Sequence, residues 1–405
     1  MAPDSSMRAR LAPAGAAAAD VVAFGLLAAE GLPWYDAHLA AFGVGLVAYA
    51  LLAVRGWHRA GATLLTAVLV LALRGGLLAT SARLGLDGRP ARILVVAVTW
   101  FALAAILHVL GRTRGEGGWR PGGVLIRRLA LFVGLGYALR LAYLLPVELM
   151  HEEAYYWLYA WHLDYGYLDH PPLVAWTVAA GTRLAGHTEA GVRLLAPVLA
   201  LGTAAFVFRL TARLFDRVHA WLAVALLAVL PYLFFVGFLA FPDTPLVLCW
   251  AGAVYFLHRE LIDRAPGAWL GVGVFLGLGL LAKYTVALLG LAAVLFSIVD
   301  PPSRSLWRTW RPYAALVVAA LIFSPVWLWN MDHEWISFAR QTTDRLASRF
   351  HFKLPTLMLF AAVHLTPLGL VGGWHAVRTW WRRRGTPEAA GTGPSGRPLS
   401  LALTL

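Results

Sequence analysis

Apolar runs of roughly 18–22 residues recur along the chain, the length a helix needs to cross a ~30 Å hydrocarbon core at 1.5 Å per residue. They predict twelve spans, at 15–32, 37–54, 61–80, 92–111, 125–146, 189–211, 218–240, 244–259, 267–282, 284–299, 312–329 and 355–376. Glycines and prolines inside these runs do not argue against helices, because lipid leaves the backbone no other way to satisfy its polar groups. The pair 267–282 and 284–299 is short and divided only by Lys283. Two stretches between runs are long and polar, 148–187 and 330–354. The expectation is an all-α, polytopic transmembrane bundle with interfacial helices in the first of these loops.

Composition sharpens that picture. Of 405 residues 60% are hydrophobic and 14% charged, with a mean hydropathy of +0.68. Soluble domains carry about a quarter charged residues, so a cytosolic enzyme and a disordered chain are both excluded. The single cysteine, Cys249, allows no intramolecular disulfide and no cysteine metal cluster. The net charge of +13 reads as membrane orientation rather than nucleic-acid binding. Arginines gather in alternate loops: Arg55 and Arg59, Arg112 to Arg128, Arg213 and Arg217, Arg259 and Arg264, Arg304 to Arg311, and Arg378 to Arg384. If those loops are cytoplasmic, both termini lie inside and the two long loops outside. Arg83, Arg89 and Arg92 break the alternation. The N-terminal Ala-rich stretch is expected to be a retained signal anchor, since further spans follow at once. The Gly/Pro/Ser/Thr-rich tail at 386–405 is expected to be disordered.

The first long loop carries the candidate chemistry. Tyr155, Tyr156, Trp157, Tyr159, Trp161, Tyr165 and Tyr167 fall within thirteen residues, interleaved with acids and histidines. A helix from Glu152 would set Glu153, Trp157 and Asp164 on one face and lie along the membrane surface. Tyr156 and Ala160 lie near that face, and the rings suit an interfacial belt, or sugar stacking and guidance of a lipid tail. Glu152 and Glu153 sit just beyond a span and Asp169 just before Pro171-Pro172. The plain alternatives are solvated surface charge for the first two and support of a helix N-terminus for Asp169. Asp243, in Phe-Pro-Asp-Thr-Pro, is a further external acid with an N-cap as its plain role. Lys283 is an ammonium set between apolar helices; such a charge normally has a partner, and an anion such as phosphate would serve. His170, Arg340, Arg345, Arg349 and Lys353 are further external cations. No nucleotide-binding Gly-rich loop, no metal-holding Asp-x-Asp and no zinc spacing is present.

In order along the chain, HEEAYYWLYAWHLDYGYLDHPPLVAW, FPDTPL, GLGLLAKYT and WNMDHEWISFARQ resemble bacterial membrane glycosyltransferases of the GT-C architecture, related to protein O-mannosyltransferases and aminoarabinose transferases (glycosyltransferase family 39). The resemblance covers roughly 125–376. It implies transfer of a sugar from a polyprenyl-phosphate donor to a hydroxyl acceptor, a lipid, glycan or protein, at the external face of the plasma (inner) membrane. It places Glu152 where the family carries a catalytic Asp. Glu153 and Asp169 then become orienting or metal-linked acids. His170, Lys283 with the adjoining Tyr284, Asp243, Tyr156, Trp157 and Arg345 become substrate-binding groups. No fixed cofactor is implied, and a divalent cation stays open. Three domains are expected: a transmembrane extension at 1–124, a catalytic core at 125–376 and a cytoplasmic tail at 377–405. Transport of lipid-linked sugars and a non-catalytic truncated homologue are the competing readings. The first would use the same aromatic and cationic groups without bond cleavage.

Overall fold

The computed structural model describes residues 15–24, 26–27, 41–42, 44–45, 60–86, 88–111, 121–265 and 267–344, with 354–355, 358, 374 and 377–378 beyond them. The expected spans at 37–54 and 355–376 lie almost wholly outside the described residues, as does Arg345. The chain divides into two compact units, Met1–Glu148 and Leu149–Leu405.

In the first unit a short helix α1 (Gly15–Phe24) accompanies three long ones, α2 (Ala60–Arg83), α3 (Arg89–Gly111) and α4 (Pro121–Tyr143). Helix α2 packs on both α3 and α4. Its tie to α4 is polar: the Tyr143 hydroxyl donates to the Ala72 carbonyl at 2.8 Å and Thr80 Oγ1 to the Ala142 carbonyl at 2.7 Å. At its centre the buried Asp20 carboxylate accepts from both terminal nitrogens of Arg74 and, at 2.5 Å, from the Trp100 indole. A buried guanidinium is tolerated only with such pairing.

The second unit begins with two helices, α5 (His151–Trp161) and α6 (Leu173–Ala185). Then come a short α7 (Glu189–Arg193), α8 (Leu195–Leu214), α9 (Arg217–Val229), a short α10 (Pro231–Val236), α11 (Asp243–Leu261) and α12 (Ala268–Ala282). A 3₁₀ turn Tyr284–Val286 leads into α13 (Ala287–Val299) and a short α14 (Pro301–Arg304). Helix α15 (Arg311–Asp332) and a short α16 (Ile336–Ala339) close the described run, followed by a π turn Arg340–Asp344. The main bundle is α8, α9, α11, α12 and α15. Glycines set its tightest contact. A Cβ on Gly273 would meet the Ala315 carbonyl at 2.6 Å, and one on Gly277 the Ala319 Cα at 3.0 Å. Small residues four apart on α12 thus lie against alanines four apart on α15, which lets two apolar helices approach closely where lipid gives no hydrophobic drive.

Among the described residues three helices are long and apolar enough to cross a membrane, within Thr66–Arg83, Glu189–Leu214 and Arg311–Asp332. A fourth is added if Tyr284–Val299 and Pro301–Arg308, bent by 104°, count as one span. The chain is therefore an all-α, multi-pass membrane bundle. The expected run 218–240 is divided: Leu230, held extended (φ −64°, ψ 121°) ahead of Pro231, separates α9 from α10. Proline excludes the preceding residue from helical geometry, and hydropathy alone does not register that.

Candidate functional site

Helix α5 has two acids in its first turn, where the helix dipole favours negative charge. They have opposite fates. Glu153 is fully buried and accepts four hydrogen bonds: from Arg193 Nε (2.7 Å) and Nη2 (2.5 Å), from the Ala240 amide (3.1 Å) and from the Met150 amide (3.1 Å). Arg193 is equally buried and lies over the Phe238 ring at 5.1 Å. The forked pair ties α5 to α7 and to the segment entering α11, which takes the Glu153 carboxylate out of solvent contact. Glu152, one residue earlier, faces outward and is exposed. Among the described residues its carboxylate makes no hydrogen bond or ion pair. Arg193 went unnoticed in the sequence, although a charge inside the apolar run 189–211 is itself a sign of a buried partner.

Tyr156, one helical turn from Glu152 and buried, marks the point where distant acids converge. Burial raises its hydroxyl above the ordinary tyrosine value. Neighbouring Tyr159 raises it further, as do the negative charges of Asp243, Asp169 and Glu152. Three carboxylates from three separate segments therefore act on one hydroxyl. The His170 ring meets the Tyr156 ring edge-on at 5.8 Å.

Asp169 is held by two elements, α5 and the π turn Arg340–Asp344. Its Oδ2 accepts from the Tyr155 hydroxyl at 2.7 Å, and Oδ1 lies 3.5 Å from Arg340 Nε. Its main-chain carbonyl accepts from Gln341 Nε2 at 2.5 Å. It does not cap α6, whose N-cap is Pro172 with no side-chain bond. Asp243 is likewise not an N-cap, that position being Pro242. Its carboxylate accepts from Lys283 Nζ at 3.0 and 3.1 Å and from the Tyr232 hydroxyl at 3.0 Å. Lys283 sits where α12 stops, in an extended conformation (φ −162°, ψ 134°) that turns the chain into the 3₁₀ segment. Next to it the Tyr284 hydroxyl shares a hydrogen bond with Ser337 Oγ at 3.1 Å. Trp157 spends its indole N–H on His187 Nδ1 at 3.0 Å, beside Trp161. Among the described residues no three His, Cys, Asp or Glu side chains gather into a metal-holding group.

Helix α5 ends at Trp161, so Asp164 lies beyond it and does not share the face of Glu153 and Trp157 as expected. It locks the loop instead. Asp164 Oδ2 accepts from Trp329 Nε1 at 2.9 Å and its carbonyl from Trp176 Nε1 at 3.0 Å. Gly166 lets the Trp329 indole in, since a Cβ there would sit 2.7 Å from the ring. Gly166→Ala is expected to cost about 1–3 kcal/mol through this overlap. The measurements are thermal unfolding and protease cleavage in the 162–170 loop; unchanged cleavage would show that the ring simply moves aside.

Residues 169–329 match the family model described as dolichyl-phosphate-mannose-protein mannosyltransferase. That stretch holds Asp169, His170, Asp243 and Lys283, and begins after Glu152. The chain is 28% identical over 213 residues to the lipid A galacturonosyltransferase RgtD of Rhizobium johnstonii, covering 51% of this chain and 44% of that one. It is 29% identical over 226 residues to the lipopolysaccharide core galacturonosyltransferase RgtB of the same organism (54% and 44%). Against its lipopolysaccharide core galacturonosyltransferase RgtA it is 28% identical over 221 residues (53% and 43%). The chain thus spans less than half the length of these curated relatives. No solved structure matches it. The matches relate the chain to GT-C-type membrane glycosyltransferases at large and do not single out the protein O-mannosyltransferases among them.

Proposed function

We propose that this chain is a membrane glycosyltransferase that moves a sugar from a polyprenyl-phosphate donor to a hydroxyl acceptor at the external face of the membrane, with Glu152 as general base. The observation that carries the proposal is the packing round Tyr156: its ring meets His170, next to Asp169, edge-on, and it shares a buried cluster with Ala240 and Phe241 just before Asp243, the partner of Lys283. Glu152 lies one helical turn before Tyr156, with no hydrogen bond or ion pair among the described residues.

The chemistry asks for two groups facing each other. A sugar on phosphate already has a good leaving group, so the difficult proton is the acceptor's. Glu152 takes it as the acceptor oxygen attacks the anomeric carbon. The bond from that carbon to the carrier oxygen breaks, and its electron pair leaves on the phosphate. Lys283 and His170 stabilise this developing charge, most strongly where water is scarce. One base opposite one cationic cradle makes a single displacement with inversion. Asp243 and Tyr232 hold the ammonium in place. Tyr155 and Arg340 hold Asp169 beside the base. The names of the relatives add a lipid or lipopolysaccharide acceptor and a uronic acid as the transferred sugar.

Vesicles holding the full chain and a radiolabelled polyprenyl-phosphate sugar test the proposal. Glycosylated acceptor together with free carrier phosphate is the expected result. Movement of the intact donor across the bilayer without cleavage would replace enzyme by transporter. Lys283→Met is expected to raise the donor KM about 10–100-fold, the worth of a hydrogen bond to a charged group. Lys283→Arg should recover part of it. A KM that does not move would take the lysine out of the phosphate site.

A further inference from the structure

Helices α8, α9 and α11 line an open apolar groove of about 330 Å³. It lies between Thr203 and Val207 of α8, Leu227 of α9, and Leu246, Trp250 and Ala251 of α11. Small side chains open it: Ala251 and Thr203 leave the space, while Gly202 lets α8 close on Leu248 alongside, where a Cβ would come within 2.8 Å. The Thr203 hydroxyl is turned onto the Leu199 carbonyl at 3.1 Å, so the wall offers water little to bind. Apolar space of this kind stays dry and takes hydrocarbon.

Position and size narrow the occupant. The groove begins at Leu246, one turn into the helix that carries Asp243 at its start. Tyr232, which donates to Asp243, stands five residues after Leu227. From Leu246 to Val254 the wall runs eight residues, about 12 Å of helix. That is within one leaflet, about 15 Å of a ~30 Å hydrocarbon core. An engineered cavity of about 150 Å³ holds one benzene, so this one holds roughly a dozen carbons. A single acyl chain matches that depth and volume, whereas a polyprenyl tail would extend far outside it.

We infer that the groove seats one acyl chain of the acceptor, which is therefore a lipid of the leaflet whose headgroups lie level with Lys283 and Asp243. The inference rests on the transfer proposed above and names its acceptor class. A chain seated at Leu246 delivers its headgroup hydroxyl to the polar cluster one turn above, and so limits where the nucleophile reaches Glu152.

The test uses the full chain in detergent with a phosphoglycolipid carrying one photoactivatable acyl chain of twelve carbons. Crosslinks mapped by mass spectrometry are expected on the peptides holding Thr203 and Trp250, and excess acylated lipid should remove them. Ala251→Phe, which fills the groove, should lower the labelling at least tenfold. It should also raise the KM for an acylated acceptor tenfold while leaving that for its deacylated counterpart unchanged. Thermal unfolding identifies a misfolded variant, and wild-type labelling decides the matter without it. Labelling elsewhere, or labelling displaced by polyprenyl phosphate and not by acylated lipid, overturns the inference. Crosslinking needs no turnover, so a groove that labels in a chain that transfers no sugar sinks the transfer reading and leaves the acyl site standing.

Discussion

Glu152→Gln is expected to lower sugar transfer by about 10²–10⁴-fold, the span of a general base's contribution, with the fold intact. Gln keeps the length of the side chain and its capacity to hydrogen-bond, and loses only the ability to accept the acceptor's proton. The fold has nothing at stake: the side chain is exposed, and among the described residues no hydrogen bond or ion pair depends on it. Circular dichroism and donor KM should therefore stay at wild-type values while kcat falls. Glu152→Asp carries the residue the resemblance implies at this place and should retain a fraction of the activity, since one methylene changes the reach and not the chemistry. Full turnover in Glu152→Gln would remove this side chain as the base. Asp169, which acts on the same Tyr156 hydroxyl, would then be the next carboxylate to replace.

The two glutamates show how far composition and spacing reach. Adjacent in sequence, they look alike, and both carry over from the resemblance as site acids. The helix separates them, because residues one apart on a helix point about 100° from each other. Glu153 is buried beside Tyr156, whereas Glu152, one turn before Tyr156, stays exposed. What fixes the outcome is Arg193, forty residues away, and no local pattern carries that pairing. Lys283 was legible because an ammonium among apolar helices demands a partner; that the partner is Asp243 needed the tertiary structure. The same holds for Gln341 and Trp329, neutral side chains that reach the first loop only because α15 and the turn after it fold against it. The all-α membrane class follows from run length and composition alone. Individual spans do not, because hydropathy counts apolar residues and misses the backbone break at Leu230-Pro231.

Glu153→Gln is the substitution with the largest expected cost in stability. Arg193 is wholly buried, and removing the charge opposite it leaves a guanidinium in low dielectric facing a neutral amide. Breaking a buried pair in this way costs about 3–5 kcal/mol. Glu153→Leu with Arg193→Met removes both charges and should be less damaging than either single change. It should still fall short of wild type, because the amides of Met150 and Ala240 lose their acceptor. An unsatisfied buried donor costs about 1–3 kcal/mol. Thermal unfolding in detergent measures the wild type and all four variants. Activity per folded molecule separates this pair from its neighbour. For Glu153→Gln it should track the folded fraction and stay within a few-fold of wild type, since Glu153 is wholly buried against Arg193 and ties α5 to α7. A stable, fully folded Glu153→Gln that transfers no sugar would contradict that assignment and return the second glutamate to the reacting groups.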